Sequence, residues 1–277
     1  MKLSHIDRRT GGGIHFLQDE MFYGHRTEMA KRHFTIALNT GPDQEVTIDN
    51  IQYTFPSWSL LPLFSNQTFS FENSRSITAW QYNRDFYCIV DHDNEVSCAG
   101  FLFFGTYGNL FIKLDESNQE KLRILTKIFI EEFETAGSTQ SEMLKILLKR
   151  LIIIATRLAK EQYVEEELIE SDKFDIFRKY NLLVDRNFKK HHQVQFYAGE
   201  LNKSPKTLAN LFARYHLKCP LRIIQDRITS EAKRLFYYTD KSAKEIAYEL
   251  GFEDSAHFSR FFKNVTGQNI SELKKAG

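Results

Sequence analysis

The run Ser242-Ala243-Lys244-Glu245-Ile246-Ala247-Tyr248-Glu249-Leu250-Gly251-Phe252-Glu253-Asp254-Ser255-Ala256-His257-Phe258-Ser259-Arg260-Phe261-Phe262-Lys263 reads as two short helices and the turn between them. Ser242 and Glu245 have capping-box spacing, in which hydroxyl and carboxylate each accept an otherwise orphaned backbone N–H. Ile246, Ala247 and Leu250 then share one face, and Gly251 supplies the left-handed residue that ends a helix. Phe252-Glu253 turns the chain, and Asp254 is the cap of the next helix. Phe258, Phe261, Phe262 and Val265 form its buried face, and Gly267 closes it. The opposite face carries Ser255, Ala256, His257, Ser259, Arg260 and Lys263. A short second helix that exposes small polar and cationic residues suits the major groove of DNA. Small side chains let the backbone approach, Arg260 has the fork that matches guanine, and Lys263 suits phosphate.

The same arrangement occurs once before. Val194, Tyr197, Ala198 and Leu201 mark a short helix, Asn202-Lys203 a turn, and Ser204-Pro205 a cap with proline at the first helical position. Leu208, Leu211, Phe212 and Tyr215 face inward, while Lys206, Thr207, Ala209, Asn210 and Arg214 face outward. The caps Ser204 and Asp254 are 50 residues apart. Between the units, Leu221, Ile224, Ile228, Ala232, Leu235 and Phe236 keep helical spacing from Pro220 to Tyr238. Nineteen residues at ~1.5 Å each span roughly 28 Å. Successive major-groove faces on one side of DNA recur at roughly 34 Å. One rigid helix therefore holds two reading heads near adjacent turns of the same groove.

Charge supports this reading. The net charge of +1 conceals an acidic part joined to a basic one: residues 1–170 hold 17 Lys/Arg against 24 Asp/Glu, and residues 171–277 hold 20 against 12. Such asymmetry points to a polyanion partner for the basic end. A plain helical bundle or protein-interaction module is the competing interpretation of tandem short helices, and the basic balance weighs against it. Arg227, in the connecting helix, is read as internal, pairing with carboxylates such as Asp226 or Glu231.

Residues from about 172 to 277 resemble the DNA-binding domain of the AraC/XylS family of transcription regulators. The most specific string is Glu245 to Phe252, continuing through His257-Phe258-Ser259-Arg260-Phe261-Phe262-Lys263 to Thr266-Gly267. Leu208, Leu211, Phe212, Pro220 and Arg227 match as well. The resemblance implies base-reading positions at Lys206, Ala209 and Asn210 in the first recognition helix and at Ala256, His257 and Arg260 in the second. The chain departs from the family at Leu217, where a glycine is usual, and at Ile270, where a proline is usual. Ala209 cannot hydrogen-bond a base edge and at most packs on a thymine methyl, so the expectation for the first unit is either more reliance on phosphates than on sequence readout or fewer bases read. The preceding region resembles, more weakly, the cupin-like regulatory and dimerisation domain of many members.

Before residue 115, short runs rich in β-branched and aromatic residues alternate with turn signals. They are His33–Leu38, Val46–Ile48, Ile51–Phe55, Ile77–Tyr82, Phe86–Val90, Gly100–Phe104 and Leu110–Leu114. This spacing predicts an antiparallel barrel or sandwich. Helical period follows. Ser117-Asn118-Gln119-Glu120 and Thr139-Gln140-Ser141-Glu142 have capping-box spacing, and Leu144, Leu147, Leu148, Leu151, Ile154, Ala155 and Leu158 form a broad apolar stripe. That stripe packs on the β domain or, being apolar on too many sides for one neighbour, serves a dimer. Glu165-Glu166-Glu167 reads as a solvated face or linker.

Other classes fall away. Residues 1–16 hold charges and no apolar core of a secretory signal. The longest charge-free stretch, Asn50–Phe71, contains Pro56 and Pro62 and is no membrane helix. Cys88, Cys98 and Cys219 include no CxxC pair, which fits a reducing compartment. His15, His25 and His33 lack the HxH spacing of a metal cupin, His92 lies in a turn-like Asp91-His92-Asp93-Asn94, and GxSxG, HExxH and P-loop motifs are missing. Trp58, Trp80 and Tyr82 read as core residues or as the lining of an apolar pocket.

The expected protein is α+β and cytoplasmic, without cofactor or metal and not an enzyme. Residues 1–165 form a cupin-like β-barrel domain (strands within 20–115, helices within 117–165), 166–175 a linker, and 176–277 an all-α tandem helix-turn-helix domain. Its expected partners are double-stranded promoter DNA, a small-molecule effector in the N-terminal domain, a second copy of the chain through residues 117–160, and RNA polymerase. Activation is implied by the resemblance alone. Two alternatives are a regulator without an effector, governed by abundance or a protein partner, and a metal-dependent cupin enzyme fused to a DNA-binding tail.

Overall fold

The computed structural model describes residues 1–18, 33–49, 51–64, 67–88, 102–103, 109–164, 172–215 and 217–270. The chain divides into two compact units, Met1–Glu166 and Glu167–Gly277.

The N-terminal unit contains nine strands among its described residues: β1 Lys2–Ile6, β2 Gly13–Gln18, β3 Phe34–Asn39, β4 Gln44–Ile48, β5 Ile51–Phe55, β6 Ser59–Leu63, β7 Phe69–Phe71, β8 Ile77–Tyr82 and β9 Ile112–Lys113. They form a six-stranded antiparallel sheet, β1-β2-β8-β3-β6-β9, and a three-stranded one, β5-β4-β7. Register explains how the large sheet serves two layers. Ala79, Ala37 and Leu61 lie side by side across β8, β3 and β6, and they pack with Val46, Ile48 and Phe55 of the small sheet. One residue further along, Phe16 and Trp80 pair across β2 and β8 on the other face. Helix α1 (Glu116–Glu134) covers that face: Phe129 lies 5.7 Å from Trp80, and Phe133 lies 6.4 Å from Phe16. Helix α2 (Gln140–Tyr163) packs beside α1 through Leu144, Leu148, Leu151, Ile152 and Ala155, all fully buried. The run that alternates with period 2 in the sequence is buried on both faces, the polar Thr35 and Asn39 included, so the alternation marks no solvent face.

Several sequence expectations change. Strands begin at residue 2 rather than 20: β1 and β2 pair as a hairpin, and the Lys145 ammonium of α2 donates to Asp7 in its turn at 2.8 Å. That bond holds the Asp7 carboxyl down at about 2. β6 carries Pro62, which is tolerated because β9 pairs only with Ser59 and Leu60. Phe86 to Cys88 is not a strand, since the Asn83 side chain and carbonyl both accept from the Phe86 N–H and close a turn. Ile89 and Val90 lie outside the described residues, as do most of Gly100–Phe104, whose Leu102 and Phe103 are helical. Only Ile112 and Lys113 of Leu110–Leu114 form a strand.

Capping differs too. Asp115, not Ser117, caps α1, with Oδ1 accepting from the Asn118 N–H at 2.7 Å. Thr139 makes no side-chain cap bond, and Glu142 pairs with Arg9 and Lys145 instead. The Glu165–Glu167 run, His25 and His92 lie outside the described residues.

The C-terminal unit contains six helices among its described residues: α3 Asp172–Asn187, α4 Val194–Glu200, α5 Pro205–Arg214, α6 Pro220–Tyr238, α7 Ala243–Glu249 and α8 Ser255–Thr266. Helix α6 joins two aromatic cores. At its start, Tyr180 and Phe177 of α3 meet Phe212 of α5 edge-on at 5.2 and 4.6 Å, and the Tyr180 hydroxyl donates to the Pro220 carbonyl at 2.9 Å. At its end, Phe236 meets Phe258 and Phe262 of α8. Ile224, Ile228, Ala232 and Leu235 fill the length between.

Candidate nucleic-acid interface

Each helix-turn-helix unit is built by its own local chemistry. In the second, Ser242 accepts from the Glu245 N–H while the Glu245 carboxylate accepts from the Ser242 N–H at 2.8 Å, a complete capping box. Gly251 then takes φ +82°, and Asp254 accepts from the N–H groups of Ala256 and His257 at 3.0 and 3.3 Å. Those bonds, the Ala256 one first, hold the Asp254 carboxyl below its usual range. Gly267, at φ +75°, closes α8. Phe258 and Phe262 are buried, while Phe261 and Val265 are half-buried.

In the first unit Asn202 takes the left-handed turn at φ +53°, Ser204 accepts from the Thr207 N–H at 3.0 Å, and Pro205 opens α5. Leu208 and Phe212 are buried beneath. Leu217 is itself buried, and its N–H reaches back to the Phe212 carbonyl at 3.0 Å, so a wrapped-back chain stands where a glycine end is usual in the resembling family.

The sequence-predicted contact residues lie on two outward helical faces. Lys206, Thr207, Ala209, Asn210 and Arg214 on α5 are exposed, as are Ala256, His257, Ser259, Arg260 and Lys263 on α8, while Ser255 is half-buried. They differ in freedom. The Thr207 hydroxyl is bonded to that of Ser204, the Ser259 hydroxyl donates to the Ser255 carbonyl at 2.8 Å, and the Arg214 guanidinium stands 5.8 Å from the Tyr215 ring. The side chains of Lys206, Asn210, Arg260 and Lys263 form no hydrogen bond or ion pair within the described residues, so they are available to a ligand. Ala213 and Asn264, four residues beyond Ala209 and Arg260, are also exposed on these faces, and helical spacing alone would have found them.

Long-range partners were harder to foresee. Arg227 is internal, as read from the sequence, but its partners are Asp185 of α3 at 2.9 Å and Glu231 at 3.4 Å, with Phe188 beneath its guanidinium. Asp226 instead takes Lys218 and Arg222. Lys189 reaches Glu249 at 2.9 Å and Glu231 at 3.7 Å, tying the turn after α3 to α6 and α7.

In the N-terminal unit His15 and His33 bring their rings within 5.2 Å, and burial, then His33, pulls His15 down to about 4. Among the described residues no three His, Cys, Asp or Glu groups stand where they could share a metal ion. Trp58 has its ring under the Arg123 guanidinium, Trp80 lies against Phe16 and Phe129, and Tyr82 stacks on Phe34, so the three do not share one set of neighbours. Among the described residues no helix is long and apolar enough to cross a membrane.

Residues 197–276 match a family described as a helix-turn-helix domain. No curated protein is similar enough to the chain to count as a match. Among solved structures, the chain is similar to ToxT from Vibrio cholerae O395, at 16% identity over 99% of this chain and 95% of that one, with a TM-score of 0.46. It is similar to unsaturated fatty acid bound ToxT from Vibrio cholerae strain SCE256, at 18% identity over 99% and 92%, with a TM-score of 0.46. The AraC-like transcriptional activator CuxR aligns at 11% identity over 87% of this chain and 78% of that one, with a TM-score of 0.30. On the family match and the paired helices just described, residues 197–276 are a helix-turn-helix domain of the AraC type, the DNA-binding part of a transcription regulator.

Proposed function

We propose that this chain is a sequence-specific transcription activator whose helices α5 and α8 read adjacent major-groove segments of promoter DNA. One observation carries the reading: the two outward faces repeat the same capped geometry and hold Lys206, Asn210, Arg260 and Lys263 clear of hydrogen bonds and ion pairs among the described residues. Arg260 reads guanine, Lys206 and Lys263 meet phosphates, and Asn210 has the amide geometry for adenine. Ala209 and Ala256 let the backbone come close, and His257 contacts a base edge or phosphate.

The N-terminal unit is the regulatory part. The exposed Ile124 of α1 and the exposed Met143 and Ile146 of α2 support pairing with a second copy through residues 117–160. The buried Trp80 indole N–H and Tyr82 hydroxyl lack hydrogen-bond partners among the described residues, which supports a small-molecule effector that supplies polar groups. A melting temperature of the full chain that rises with a candidate metabolite supports the effector, whereas indifference to all of them favours control by abundance or a protein partner.

Selection of bound sites from random duplexes tests the DNA-binding reading. Arg260→Ala is expected to relax preference at one base position, at a cost of ~1–3 kcal/mol. Weakening that is equal across all sequences would demote Arg260 to a backbone contact.

A further inference from the structure

The connection between α3 and α4 carries four consecutive basic side chains, Lys189, Lys190, His191 and His192. It belongs to both readers at once. Its far end enters α4, the first helix of the first unit, and in this motif that helix crosses the DNA backbone. Its near end is pressed against the turn of the second unit. A Cβ on Gly251 would lie 2.0 Å from the Lys189 carbonyl oxygen, so only glycine fits there. The His192 Nε2–H donates to the Leu250 carbonyl at 2.8 Å. The His192 ring lies 4.6 Å from that of Phe252, which lies 5.5 Å from His257 at the start of α8.

The four side chains divide into two kinds. Lys189 spends its charge on Glu249 and Glu231. His192 faces inward, and burial holds it below its ordinary range. Lys190 is exposed and forms no ion pair among the described residues. The His191 ring lies flat on Phe196, 3.6 Å between centroids and 3° from parallel, which fixes it at the surface. The backbone beneath is pinned: the Asn187 carbonyl accepts from the N–H groups of both Lys190 and His191, and the His191 carbonyl accepts the Tyr197 hydroxyl at 2.6 Å.

We propose that Lys190 and His191 bind DNA phosphates between the two major-groove segments, giving the domain a third anchor that sets the register of its two readers. The inference rests on the DNA-binding reading above. Lys190 supplies a point charge and His191 a ring N–H, presented from a backbone that does not have to be ordered on binding. Such contacts position the protein without reading sequence.

The test uses the full chain as Lys190→Ala, Lys190→Glu and His191→Ala, titrated against a selected duplex and a scrambled one over a range of salt. Lys190 is exposed, so its variants keep the wild-type melting temperature and are judged on binding alone. Lys190→Ala is expected to flatten the slope of log K against log salt by about 1 and to weaken binding about threefold to tenfold on both duplexes alike. Lys190→Glu weakens it further, and His191→Ala acts in the same direction. An unchanged slope, or a loss confined to one base position, overturns the anchor. Arg260→Ala runs in parallel: a shift in its base preference beside an unchanged Lys190→Ala slope sinks the anchor and leaves the DNA-binding reading standing. A wild-type chain that binds no duplex sinks both.

Discussion

The two helix-turn-helix units reach the same shape by unequal means. The second is specified almost entirely by its own residues: a full capping box at Ser242, glycine at the turn, a carboxylate cap on two N–H groups of α8, and glycine at its end. The first has no side-chain cap on α4 at Gln193, an asparagine at its turn, and an end closed by Leu217 folding back. It depends instead on Phe177 and Tyr180 of α3 packing on Phe212. Their contact faces differ likewise, because α8 carries Arg260 and His257 where α5 carries Asn210 beside Ala209. Local chemistry and tertiary packing are thus interchangeable routes to one geometry.

Several substitutions strain this contrast. The largest effect belongs to the junction between the units. Arg227→Met removes the guanidinium that the buried Asp185 and Glu231 share, leaving Glu231 the more distant Lys189 at 3.7 Å, and is expected to cost about 3–5 kcal/mol of stability in chemical denaturation. Little change would mean that the connecting helix needs no ionic tie to α3. Next comes the pair of turns. Gly251→Ala combines a left-handed backbone with a clash against the Lys189 carbonyl, and a loss of about 2–4 kcal/mol is expected. Asn202→Gly in the first unit is expected to shift stability by only a few tenths of a kcal/mol, because asparagine already tolerates that conformation. Equal sensitivity of the two turns breaks the comparison.

Base reading ranks third. Arg260→Ala is expected to cost ~1–3 kcal/mol of binding at one base position and Asn210→Ala less, since in the proposed reading Lys206 meets phosphate and leaves Asn210 beside an alanine to read bases. The reverse order in quantitative binding assays would make α5 the chief reader. Smallest is the capping contrast: Ser242→Ala is expected to lower stability by about 1 kcal/mol, whereas Gln193→Ala, where no cap bond exists, leaves the melting temperature in place.

Legibility in the sequence followed the same division. Gly251, Asp254, Ser204, Pro205 and Pro220 were readable because each acts on a backbone group within four residues of itself. Of three capping-box patterns only Ser242-x-x-Glu245 formed. Asp115 outcompeted Ser117 two residues earlier, and Glu142 was drawn to Arg9 and Lys145, residues a local pattern does not show. β6 was hidden by Pro62, which is compatible with a strand only once the short reach of β9 is known. β1 went unread because Lys2, Ser4 and Ile6 are exposed while Leu3 and His5 are only half-buried, so no apolar alternation marks it. The clasp of Lys189 and His192 on Leu250 and Gly251 joins residues about sixty positions apart, and only the fold brings them together.

In the proposed function one stiff helix presents two readers to consecutive major-groove segments on one side of a duplex. Hydroxyl-radical footprinting of the full chain on a selected site addresses it directly. Two protected windows are expected about one helical turn, roughly 10 base pairs, apart on one face of the DNA, with Arg260→Ala weakening protection in one window more than in the other. A single window, or protection spread evenly along the duplex, contradicts it.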